Sequence, residues 1–176
     1  MSATRVLSGL VLTAGLATRL FAQTAQTAPP AARNPLAGLP DLVAALKASP
    51  GCLGVETART TTGKNVLFAW FENKEAVRTW YYSAVHQGVV RMATGRPESQ
   101  KPPEPMVGVP ENVGPIMAIA SITPSDTGGV KGFHLPISQI SIELYTPVTG
   151  GIFIGSRFAP EGLKVPGIKD YTPPKE

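Results

Sequence analysis

The sequence predicts one α+β domain in which an antiparallel sheet carries its helices on one face. Three patterns lead to that expectation. Residues 65–71 are almost continuously apolar and have the length of a strand covered on both sides. Residues 74–93 repeat apolar side chains at helical spacing, and three further strand-like runs follow a proline-rich gap. A chain of 176 residues, 43% hydrophobic and 16% charged, suits one core with tails.

The elements follow in order from period and punctuation. Leu42, Val43, Ala45 and Leu46 define one face of a short helix within residues 40–48, ended by Ser49-Pro50-Gly51. Residues 52–60 begin to alternate, Thr62-Gly63-Lys64 signals a tight turn, and residues 65–71 complete a hairpin. Asn73 is suited to cap the next helix, with Glu75 in a first turn that favours an acid. Val77, Trp80, Tyr81, Ala84, Val85, Gly88 and Met92 then form the inner stripe of one helix over residues 74–93. Taken at about 100° per residue from Val77, the stripe centres near 20° and His86 falls at about 180°. His86 is therefore expected on the polar back of that helix, beside Glu75, Thr79 and Tyr82.

Residues 96–115 contain six prolines, at 97, 102, 103, 105, 110 and 115, which no strand or helix accommodates. A long wrapping loop is expected there. Strands are expected at 116–123, 137–145 and 151–158, the last two joined through the turn 147–151 as an extra C-terminal hairpin. Alternation within 139–145 assigns Ile140, Ile142 and Leu144 to a buried face and Ser141 and Glu143 to the opposite one. Residues 161–176 read as an irregular tail.

The N-terminal residues have the pattern of an export signal: Arg5, an apolar run over 6–17, and Leu20-Phe21-Ala22 before Gln23. The expectation is a cleaved signal over 1–22, a disordered linker over 23–37 and a secreted or periplasmic domain over 38–160. The alternative is a retained interfacial anchor. The apolar run is shorter than the ~20 residues a membrane-spanning helix needs, so no stable span is expected after cleavage. Removing Arg5 and Arg19 lowers the formal charge from +4 to +2, and the basic balance largely disappears. No Lys/Arg cluster alternates with aromatics, which argues against a nucleic-acid partner. A single cysteine, Cys52, excludes an internal disulfide and reads as a small packed residue at a strand start.

Chemistry-bearing residues concentrate in 65–93, which hold Trp70, Trp80, Tyr81, Tyr82 and His86. The two histidines, His86 and His134, are far apart in sequence and lack local ligand spacing, so no metal site is expected. His134 reads as a loop-packing residue. No Gly-x-Ser-x-Gly or other nucleophile signature occurs. Gly128-Gly129-Val130-Lys131-Gly132 lacks the setting of a phosphate loop and reads as a flexible hairpin tip.

The order helix, strand, strand, helix, strand, strand, strand resembles a ferredoxin-like βαββαβ domain without its first strand. More particularly, Pro50-Gly51-Cys52-Leu53-Gly54-Val55-Glu56 enters a hairpin, a strand ends at Trp70, and a helix opens Asn73-Lys74-Glu75-Ala76 before Trp80 and His86. Over residues 38–93 this resembles the antibiotic-biosynthesis-monooxygenase type of dimeric α+β barrel. The resemblance implies a ferredoxin-like sheet with two helices on one face and sheets paired in a homodimer. It also implies a cofactor-independent, monooxygenase-like activity on a small apolar or aromatic molecule. His86 would be catalytic and Trp70, Trp80, Tyr81 and Tyr82 would bind substrate. In the haem-degrading branch of that group an asparagine, a tryptophan and a helix histidine act together. Here His86 follows Trp80 too closely, and the strand that would supply the asparagine is not visible. A non-catalytic ligand-binding module and a structural, self-associating domain are the alternatives, since an aromatic stripe at helical spacing also serves packing.

Overall fold

The structure, a computed structural model, describes residues 41–175. The expected signal segment and linker lie outside the described residues, as do residues 38–40. Helix α1 (Leu42–Lys47) is capped by Asp41, whose Oδ1 accepts from the Ala44 N–H at 3.0 Å. Strands β1 (Cys52–Arg59) and β2 (Asn65–Phe71) form the expected hairpin, with Val55 opposite Ala69. Gly51, at φ 73°, starts it: a Cβ there would sit 2.5 Å from the Ala76 Cβ, so only glycine lets the chain pass the next helix.

Strands β3 (Ile116–Pro124) and β4 (Ile137–Tyr145) complete a sheet of order β1-β2-β3-β4, every neighbouring pair antiparallel. The molecule is thus an α+β domain on a four-stranded meander. On one face Leu67, Ala69 and Phe71 of β2 align with Ala120, Ala118 and Ile116 of β3. There they pack with Leu46, Ala76 and Val77 to form the core. On the other face Phe68 and Trp70 meet Phe158, whose ring lies edge-on at 5.0 and 5.2 Å. Strand β2 is therefore covered on both sides, as its continuous apolar run predicts.

Three features differ from the sequence reading. The helix expected over 74–93 is two: α2 (Lys74–Tyr82) and α3 (Ala84–Thr94). Ser83, extended at φ −60° and ψ 148°, ends the first and caps the second, its Oγ accepting from the His86 N–H at 3.2 Å. Helix α3 then closes on Gly95 in the left-handed conformation. The helix side of the sheet consequently carries three helices rather than two.

The C-terminal hairpin does not form. Beyond β4 the chain makes only β5 (Ile152–Phe153), which pairs in parallel with β6 (Lys169–Asp170) in a separate two-stranded sheet. Glycine and proline punctuate 147–168 too densely for a ladder, and the segment packs as a strap instead. Arg157 secures it by donating from one guanidinium nitrogen to the carbonyls of Pro160, Glu161 and Leu163. Finally, Ile140, Ile142 and Leu144 alternate as read but are not buried, with Ile142 61% exposed. β4 is one of the two edge strands, and its apolar side chains lie at the open rim of the helix side.

Candidate functional site

Between the helix side of the sheet and the three helices lies a cavity of about 600 Å³. Its floor is the small-residue centre of the sheet, Ala69, Ala118 and Ala120, flanked by Leu67, Ile142 and Leu144. Its walls come from Leu42 and Leu46 of α1, Val77, Trp80 and Tyr81 of α2, and His86, Val89, Val90 and Ala93 of α3. Alanine in the middle of the floor leaves room that larger residues would fill. The volume and the apolar lining are those of a small-molecule pocket.

The proline-rich loop roofs this space with Pro105 and Met106. It is held by charge. Lys74, almost fully buried, donates to the Val109 carbonyl and to Glu111 Oε1, each at 2.6 Å. That contact holds the Glu111 carboxyl below its ordinary range. Arg78 adds ion pairs to Glu104 and Glu111 at 3.4 and 3.5 Å. The surface pairs contribute little individually, whereas leaving the buried Lys74 without its partners would cost more than any of them.

His86 is the residue that gives the cavity chemistry. Its ring stands between Trp80 and Tyr81, with centroids 5.5 and 5.3 Å away. The expectation that it lies on the polar back of its helix is overturned by the break at Ser83, which resets the rotational phase before His86 and turns it into the cavity wall. The same break leaves the Tyr81 carbonyl without a donor from its own helix. His86 Nδ1 supplies one at 2.8 Å, and Gln87 Nε2 donates to the same oxygen. Gln87, itself buried, receives Arg96 on its Oε1. Burial pushes the His86 pKa below its ordinary value of 6.5, the Arg96 charge acts in the same direction, and the Tyr81 hydrogen bond partly opposes them. Arg96 Nε is buried without a hydrogen-bond partner among the described residues. Imidazole, not imidazolium, is the form favoured at neutral pH.

The other residues singled out from the sequence divide. Trp80 and Tyr81 line the cavity with His86. Trp70 does not: it projects from the opposite face of β2 into a second cavity of about 550 Å³, bounded by Met117, Tyr145, Phe153, Phe158 and the strap. Successive strand residues point to opposite faces, so Trp70 and Phe71 cannot share a pocket. Tyr82 is exposed and donates its hydroxyl to Glu104 Oε2 at 2.7 Å, which ties the loop to α2 outside the cavity. Cys52 is partly buried at the start of β1, and its thiol pKa is raised by burial. His134 packs on Gly95 and donates its N–H to the Ala93 carbonyl at 2.8 Å.

Sequence reasoning missed Gln87, Arg96 and Lys74. Lys74 had one available signal, a charged residue immediately after a helix cap, with acids in the loop that follows. Gln87 and Arg96 had none, because their role follows from a carbonyl freed by the helix break. Among the described residues no three His, Cys, Asp or Glu side chains gather in a metal-binding group, and no helix is long and apolar enough to cross a membrane.

Fold and cavity together define a class: an α+β domain enclosing a ligand-sized apolar space with one histidine in its wall. Comparison of the chain with protein-family models, curated proteins and solved structures gave no match.

Proposed function

We propose that this domain is an exported, homodimeric protein of the antibiotic-biosynthesis-monooxygenase-like kind, which takes a small apolar or aromatic molecule into the helix-side cavity and oxidises it without a cofactor. One observation carries the reading: His86 lines that cavity with Nδ1 engaged by the Tyr81 carbonyl, so Nε2 is the atom left to take a proton. In the proposed reaction a bound phenol gives its hydroxyl proton to Nε2, and dioxygen oxidises the resulting anion. One oxygen atom enters the ring as a second carbonyl, and the other leaves as water with the hydroxyl and ring hydrogens. Trp80 and Tyr81 hold the aromatic body, and the loop carrying Met106 excludes solvent.

The barrel-type fold has its own support. β3 runs antiparallel beside β2, which is the position the absent first strand of a ferredoxin-like domain would occupy. Tyr145 of β4, with Phe158 and Ile152 on the strap, is exposed apolar surface away from the helices that a second copy would cover. Light scattering after gel filtration tests this: a monomer at micromolar concentration removes the dimeric barrel.

Oxygen uptake tests the activity. With hydroxylated arenes as substrates, one dioxygen should be consumed per product, and His86→Ala should abolish uptake while the circular dichroism spectrum is retained. A second reading, non-catalytic ligand binding, is favoured by the lowered pKa of His86, which weakens it as a base. On that reading the purified protein carries its ligand and consumes no oxygen.

A further inference from the structure

The polarity of the His86 site can be derived from its hydrogen bonds, and it restricts what the cavity accepts; this rests on the cavity being the ligand site. The Tyr81 main-chain oxygen can only accept, so its 2.8 Å contact with Nδ1 requires the ring proton to sit on Nδ1. A neutral imidazole has one N–H, so Nε2 offers only a lone pair. Gln87 cannot reverse this arrangement. Its Oε1 is taken by Arg96 and its Nε2 donates to the Tyr81 carbonyl, while the 3.5 Å from that Nε2 to the ring leaves the 2.8 Å contact of Nδ1 with the carbonyl as the one that sets the tautomer.

The rest of the lining is mostly apolar and carries no lysine or arginine. Of its three hydroxyls, Thr94 donates to the Val90 carbonyl and Ser141 pairs with Ser121, which leaves the Tyr81 phenol as the other donor in the lining. A carboxylate entering this space would lose its water, find the Arg96 charge engaged behind the Gln87 amide rather than in the lining, and face the lone pair of Nε2. A hydroxyl or N–H group would donate to that same lone pair.

We infer that the cavity selects neutral molecules bearing one hydrogen-bond donor on an apolar body, an alcohol, phenol or N–H heterocycle, and rejects carboxylates. His86 is the specificity-determining residue, and the Tyr81 carbonyl is what fixes its sense.

Three matched probes, naphthalene, 2-naphthol and 2-naphthoate, test this on the full-length chain at mildly alkaline pH, where the naphthol is neutral and the naphthoate ionised. Binding is followed by NMR titration and by quenching of tryptophan fluorescence. Naphthol should bind about tenfold more tightly than naphthalene, the scale of one well-placed hydrogen bond, and naphthoate more weakly than either. His86→Phe should bring naphthol to the affinity of naphthalene. Nitrogen NMR of histidine-labelled wild-type protein has only two rings to resolve, His86 and His134, and should find His86 protonated on Nδ1 with Nε2 bare. This readout needs no variant to fold. Naphthoate binding as tightly as naphthol, or a proton on Nε2, overturns the inference while leaving the cavity a ligand site. Failure of naphthalene itself to bind overturns both.

Discussion

Two cavities of similar size lie on opposite faces of one sheet, about 600 Å³ under the helices and about 550 Å³ under the strap, and they are built in different ways. The helix-side walls are regular elements whose residues also make the core: Leu46, Val77 and Phe71 serve both. The strap-side cavity is closed by mostly irregular chain, held by the short β5–β6 pairing, by turns and by one guanidinium. Arg157 is there, yet its bonds go to the strap's own carbonyls and its charge lies over the Phe153 ring at 5.8 Å. The contrast teaches that volume alone does not mark a site. What distinguishes the helix side is a titratable ring whose hydrogen bonds leave one atom for a ligand.

The difference can be tested by substitutions on each face. Phe71→Ala, at a fully buried position beneath the helices, should cost about 3–5 kcal/mol in urea unfolding, since it leaves a cavity in the shared core. A loss under about 1 kcal/mol would mean that the helix side is not the core. His86→Ala should reduce oxygen uptake by about a hundredfold or more, the range of a general base, with little change in the unfolding midpoint. Unchanged uptake would remove the catalytic assignment.

Lys74→Ala should destabilise by about 1–2 kcal/mol through loss of its bonds to Val109 and Glu111. Limited proteolysis should then cut within residues 96–115 sooner than in the wild type. Phe158→Ala should cost only about 1 kcal/mol or less, because the ring is largely exposed and binds the strap rather than the core. A loss as large as that of Phe71→Ala would erase the contrast between the faces.

Proton linkage gives the smallest effect. A histidine whose folded pKa lies below 6.5 binds fewer protons folded than unfolded, so its contribution is present above 6.5 and is lost as pH falls through the folded value. Stability should therefore rise with pH across that window, and His86→Phe should flatten the slope. An unchanged slope in the variant would assign the effect elsewhere.

Strands and caps were legible because they are local. Asn73, the hairpin turn at Thr62-Gly63-Lys64 and the alternation within β4 each announce themselves over a few residues, whereas the cap at Asp41 was not read. The site was only half legible. Trp80 and Tyr81 could be assigned to the inner stripe, but Ser83 was read through, since the apolar period continues across it in Ala84 and Val85. The available signal was a good capping residue with its partner N–H three positions on, at His86 itself. Trp70 was misassigned because a strand apolar on both faces hides its own alternation. The exposure of Ile142 depended on strand order, which no local pattern contains. The strap was unreadable for the same reason: β5 and β6 are two residues each and meet across a long intervening segment.

The proton on His86 is fixed by a main-chain atom, and this bears on how the site tolerates mutation. Substituting Tyr81 changes the cavity wall, yet every amino acid placed there brings the same carbonyl oxygen. Variation at position 81 can therefore reshape what fits while the sense of the hydrogen bond stays inherited. Position 83 is the opposite case. A residue there that let α2 run on into α3 would give the Tyr81 oxygen a helical partner and turn His86 away, removing the site in one step without altering any side chain that lines it.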